Sequence, residues 1–162
     1  MKPTTPTTTQ FTIDLTVNAT PDRVWRMWTT KDGLERWWGP DGFQSVVRHL
    51  DVRVGGRFEI VMTAVDAGIV EFMKSSGMPT SSVAKGDYTA IEPNRRLVYA
   101  NAIDFVPGVT PYTSTTRVDI EPLANGQTRL IVANDVMHDE HWTSMASQGW
   151  EQQIGRLVKL FA

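Results

Sequence analysis

The chain contains no cysteine among its 162 residues. That absence excludes disulfides, thiolate nucleophiles, Cys-ligated zinc and iron–sulfur clusters together. Histidine is nearly as scarce, with three copies. An excess of charge of one sign is also missing: 16 Lys and Arg face 18 Asp and Glu, leaving a formal charge of −2. Such a balance offers no electrostatic footprint for nucleic acid or an anionic membrane, so neither is expected as a partner. No run approaches the roughly 18 consecutive apolar residues of a membrane-spanning helix. The first residues, Met1 to Gln10, are rich in Thr and Pro and hold no apolar stretch. They resemble neither a secretory signal nor a transit peptide, and the default location is the cytoplasm. Residues 1–9 are expected to form a disordered tail, because they cannot bury apolar area. What the chain does have is tryptophan. Four of its six Trp residues (Trp25, Trp28, Trp37 and Trp38) fall within fourteen positions.

The remainder, 10–162, fits one domain, large enough to bury roughly 70% of its unfolded surface without a metal or disulfide. Phe11 to Val17 alternates apolar and polar residues and predicts a half-buried strand. Asn18-Ala-Thr-Pro21 ends it and opens a short helix, with Thr20 as N-cap and Pro21 at the first helical position. Asp32 to Trp37 adds a helical turn, and Gly39-Pro40-Asp41-Gly42 breaks the chain. Strand signals then follow at Phe43–Val52, Arg57–Met62, Val83–Glu92, Leu97–Ile103, Tyr112–Glu121 and Thr128–Val136. The last two flank Leu123-Ala-Asn-Gly126, a hairpin signal. Seven strands at mostly hairpin separations predict an antiparallel sheet. From Asp139 to Phe161 the pattern changes: Trp150, Ile154, Leu157 and Phe161 lie on one stripe of a long helix.

One strand, one or two short helices, six strands and a long C-terminal helix is the order of the α+β helix-grip fold, a curved seven-stranded sheet wrapped around its last helix. The chain resembles the START-like (SRPBCC) superfamily, and within it the homologues of the heat-shock-protein-90 ATPase activator. The resemblance runs from about Phe11 to Phe161. It is carried by Ala19-Thr-Pro-Asp-Arg-Val-Trp25, Trp37-Trp38-Gly39-Pro40, Asp51-Val-Arg-Val-Gly-Gly-Arg-Phe58, Gly86-Asp-Tyr-Thr-Ala-Ile-Glu-Pro93, Arg96-Leu-Val-Tyr99 and Gly149-Trp150. It implies a cavity between sheet and helix that takes an apolar molecule in many relatives and supports chemistry in some.

Strand parity places Met62, Tyr99 and Tyr112 inward, with Phe105 in the loop that follows. Trp142, Ala146, Gly149 and Gln153 are the inward candidates on the helix. Gly149 either opens space over the cavity or permits close helix–sheet packing. Gln153 either orients a polar ligand group or bonds a sheet residue or a water. Trp38 is a candidate for the cavity entrance. Residues 65–82 separate two strands that a short hairpin usually joins in the family. Within them Ile69, Phe72 and Met73 have helical spacing, so the segment reads as a lid-like insertion, or as a surface helix. Phe72 and Met73 complete the candidate ligand-binding set.

His138-Asp-Glu-His141 is not a zincin motif, and a capping arrangement explains it better than a metal. No metal or cofactor is therefore expected. Ser144 and Ser147 near His141 lack an orienting acid and an oxyanion hole. Gly55-Gly56 precedes a strand, so it is not a phosphate-binding loop. Three functions remain. The first is a non-catalytic binding module for a small apolar or amphipathic molecule. The second is a cyclase- or hydrolase-like enzyme, for which Glu71 and His138 are the available acid–base groups. The third is a chaperone ATPase cofactor, ranked last because the namesake's activity involves an additional N-terminal domain. A homodimer through a sheet edge or the 65–82 segment is compatible with the sequence.

Overall fold

The computed structural model describes residues 10–162, so the expected tail over residues 1–9 lies outside the described part. Strand β1 spans Gln10–Val17, helix α1 Pro21–Thr29, helix α2 Lys31–Trp37, β2 Phe43–Leu50 and β3 Arg57–Ala64. Helix α3 (Ala67–Ser75) is followed by β4 (Ser81–Glu92), β5 (Arg96–Ile103), β6 (Tyr112–Pro122), β7 (Thr128–Asp135) and the long helix α4 (Glu140–Lys159). The strands form one sheet in the order β1-β7-β6-β5-β4-β3-β2, antiparallel at every step. Register shifts at Val47/His49 and Tyr88/Ala90 mark irregularities that bend a sheet. This is the helix-grip architecture expected from the order of elements.

Local chemistry explains the boundaries, with one correction. Thr20 precedes α1 with Pro21 in its first turn, but its hydroxyl donates to the Asp22 carboxylate (2.8 Å) instead of capping a backbone N–H. Thr30 does cap α2, accepting from the Gly33 N–H at 3.0 Å. Asp139 caps α4 by accepting from the Trp142 N–H at 2.8 Å, so the helix proper begins at Glu140. The 65–82 segment does hold a helix, capped by Asp66 at the Ile69 N–H.

The interior has two halves. One is filled with aromatic rings. The ring centroids of Trp28 and Trp37 lie 4.5 Å apart, edge to face, those of Trp38 and Trp150 6.0 Å apart, and that of Phe58 5.6 and 5.2 Å from those of Tyr88 and Tyr99. Ile154 and Leu157 of α4 are buried in the same cluster. The other half is open.

Candidate functional site

The open half is a cavity of about 650 Å³ between the sheet and α4. A volume of this order suits a small organic ligand. Ala146, Gly149, Trp150 and Gln153 of α4 form one side. Phe11 of β1, Met62 of β3, Ala84 of β4, Ile103 of β5 and Trp38 before β2 supply apolar wall. Gly149 settles between its two readings. A Cβ built on it meets no atom within 4 Å, so the glycine faces open space rather than a tightly packed strand.

A polar seam crosses the apolar wall where β5, β6 and β7 lie side by side. Asn101 pairs with Ser114 across β5 and β6, and Thr116 pairs with Asn134 across β6 and β7. The Asn101 amide nitrogen donates to the Ser114 carbonyl and to the Thr116 hydroxyl, both at 2.8 Å. Thr116 must then give its own proton elsewhere, and it donates to the Asn134 side-chain oxygen at 2.6 Å. The chain of bonds has one direction. It fixes every amide in turn and leaves the Asn134 amide nitrogen with no partner among the described residues, although Asn134 is only 4% exposed. An unsatisfied buried donor costs about 1–3 kcal/mol. On the helix side, the Gln153 oxygen accepts from the Gly39 N–H at 2.8 Å. That bond orients a side chain 6% exposed and turns its amide nitrogen away from Gly39.

Among the described residues, the charged groups on the wall are Lys85, Asp104 and Asp135. Lys85 and Asp104 pair with each other at 3.0 Å, and both are more than one-third exposed. The Asp135 carboxylate accepts from the Thr115 N–H at 3.0 Å and from the Gln10 amide at 3.2 Å.

The structure brings Trp38, Met62, Phe105, Ala146, Gly149 and Gln153 onto this wall. It does not bring the other five candidates there. Tyr99 points inward as parity predicts, but it is buried within the aromatic cluster beside Phe58 and Tyr88, where burial pushes its hydroxyl pKa up. Tyr112 is occupied by His138, whose Nδ1 lies 2.7 Å from the phenol oxygen. Trp142 packs against Phe105 and His138 off the wall. Phe72 is 64% exposed on α3, and Met73 is half-buried beside it without reaching the cavity. The insertion meets the wall through Pro79, Ser81 and Ser82, beyond its helix. Trp38 lines the inner wall against Trp150 rather than an entrance. Of the acid–base candidates, Glu71 is exposed and His138 lies off the wall. Among the described residues, no three His, Asp or Glu side chains gather as metal ligands would.

Asn101, Ser114 and Asn134 are wall residues that the sequence reading passed over. Their signal was present. Each is a polar residue at an inward position of a strand, and Asn134 breaks an otherwise apolar face after Leu130 and Val132.

Comparison with known proteins supports this architecture. The family model described as Activator of Hsp90 ATPase homolog 1-like protein matches residues 18–162. A crystal structure of a protein from Chromobacterium violaceum superposes with a TM-score of 0.74 at 24% identity, covering 94% of this chain and 96% of that one. A protein from Mycobacterium smegmatis gives 0.71 at 20% identity, covering 94% and 90%. The AHSA1 protein of Silicibacter pomeroyi gives 0.71 at 16%, covering 93% and 96%. No curated protein matches. No helix of the described residues is long and apolar enough to cross a membrane.

Proposed function

Because the chain belongs to the family of Activator of Hsp90 ATPase homolog 1-like proteins, we propose that it binds a small, largely apolar molecule in the cavity between its sheet and α4. The observation that carries this reading is a cavity of about 650 Å³ in a domain whose other half is filled with aromatic rings. Protein interiors normally leave few voids larger than a water molecule. Among the described residues, no side chain fills an apolar hollow of this size. Trp38, Met62, Phe105, Ala146, Gly149 and Gln153 are the proposed contacts, joined by Phe11, Ile103 and Trp150. Apolar burial supplies the affinity, at about 25 cal/mol per Å² removed from water before the costs of association.

Native mass spectrometry of the protein purified from a cell extract tests the reading. The expected result is a bound species of small-molecule mass, released by organic solvent. A protein that stays ligand-free, both as purified and after incubation with an apolar fluorophore, contradicts it.

A further inference from the structure

We infer that Tyr112 is a nucleophile activated by His138, able to take an acyl group from an activated ester of an apolar acid. The pair lies off the cavity wall and works whether or not the cavity holds a ligand. Tyr112 is the first residue of β6, and His138 lies between β7 and α4. The phenol oxygen and His138 Nδ1 are 2.7 Å apart. The same oxygen accepts from the His138 backbone N–H at 3.3 Å. Across the ring, Nε2 faces Asp139 Oδ2 at 3.7 Å. Asp139 is held there by its other oxygen, which caps α4 at the Trp142 N–H. A carboxylate beside Nε2 favours the imidazole proton on that nitrogen. Nδ1 is then the acceptor, and the Tyr112 hydroxyl donates to it. Hydroxyl, imidazole and carboxylate therefore stand in the order that activates a nucleophile: a base within hydrogen-bond reach, itself oriented by a third group. Of the three tyrosines, Tyr88 and Tyr99 are only 3% and 2% exposed, whereas Tyr112 is half-buried and open to a reagent.

The neighbouring rings set the class of acyl donor. The Trp142 ring centroid lies 6.0 Å from that of His138 and 5.9 Å from that of Phe105, which is 55% exposed. Together they offer an apolar surface beside the hydroxyl, suited to an apolar acyl chain. In the acylation step, Tyr112 Oη forms a bond to the ester carbonyl carbon while its proton passes to His138 Nδ1. The ester C–O bond breaks, the leaving oxygen takes that proton from His138, and Tyr112 ends as an aryl ester. The imidazolium that forms between these transfers faces the Asp139 carboxylate.

The probe is p-nitrophenyl hexanoate, mixed with the wild-type protein, Tyr112→Phe and His138→Gln, each checked for native circular dichroism. Nitrophenolate release is followed by absorbance, and the acyl group is located by peptide mass spectrometry. The expected result is a single hexanoyl group on Tyr112, added about a hundredfold faster than to N-acetyltyrosine amide, the low end for general base catalysis. Tyr112→Phe should lose that adduct, and His138→Gln should slow its formation by about the same hundredfold. Should a variant fail to fold, the position and rate of acylation in the wild-type protein decide alone. Acylation of a lysine, of the N-terminus or of His138 instead, or an undiminished burst in Tyr112→Phe, overturns Tyr112 as the nucleophile. Equal acylation of Tyr112 in His138→Gln, or a wild-type rate no greater than that of the free amide, overturns its activation. A protein that takes no acyl group overturns both.

Discussion

Gly149 sits in the middle of α4, where glycine costs roughly 1 kcal/mol relative to alanine. Nothing in the packing requires that cost, since a Cβ there would meet no atom within 4 Å. Gly149→Ala is therefore expected to raise stability by up to about 1 kcal/mol, read from urea denaturation. A loss of stability would mean that the helix lies closer to the sheet than described. Both Gly149 and Gln153 were legible as inward residues from helical spacing alone. Asn134 and Asn101 were harder, because attention to apolar side chains passes over the polar residue that breaks a strand face. Tyr99 shows the opposite difficulty. Parity says that a side chain points inward, but not whether it meets a cavity or another ring. That depends on Phe58 and Tyr88, brought beside it by the sheet and by no local pattern.

At the scale of elements, α4 holds the loop between α2 and β2. Arg156 Nη1 donates to the carbonyls of Gly39 (2.9 Å), Pro40 (3.2 Å) and Phe43 (3.4 Å), while Gln153 and Gln152 accept from Gly39 and Asp41. The same loop carries Trp38 and Pro40 to the cavity wall, and Gly42 accepts from the backbone at the start of the 65–82 insertion. Gly42 also lies against Ile69 of α3. Arg156→Met should cost about 2 kcal/mol, the range for hydrogen bonds from a charged donor. Amide hydrogen exchange should then quicken at residues 39–43 while β5 and β6 stay protected. Uniform loss of protection would show that the clasp is not local.

A second junction ties α2 to β2. Glu35 accepts from Lys31 and from the Val47 N–H (2.8 Å), and these bonds, Lys31 first, hold its carboxyl below the usual value of 4.5. With the folded pKa below the unfolded one, the contribution is complete above the unfolded value and is lost as pH falls through the folded one. Glu35→Gln should therefore flatten the part of the stability–pH curve that falls below pH 4.5. An unchanged acid limb would remove Glu35 from the account. Sequence pattern captured these elements well, because strand alternation and helical spacing are local. The joints between them, Arg156 to Phe43 or Glu35 to Val47, link residues that only the folded chain brings together.

For the whole molecule, the six Trp residues no longer form one category. Trp28 and Trp37 close the packed half, Trp38 and Trp150 make the partition that the cavity touches, and Trp142 stands off the wall beside Phe105. Trp25 is half-buried against the core. The grip is filled at one end by rings and left open at the other, a division that composition could not reveal. The most direct test of that division is a calorimetric titration of an apolar naphthalene fluorophore into the wild-type protein and into Gly149→Trp, which places an indole in the open space. The account predicts one-to-one binding to the wild type with a negative heat-capacity change, and none to a variant that remains folded. Equal binding to both proteins, or to neither, would contradict it.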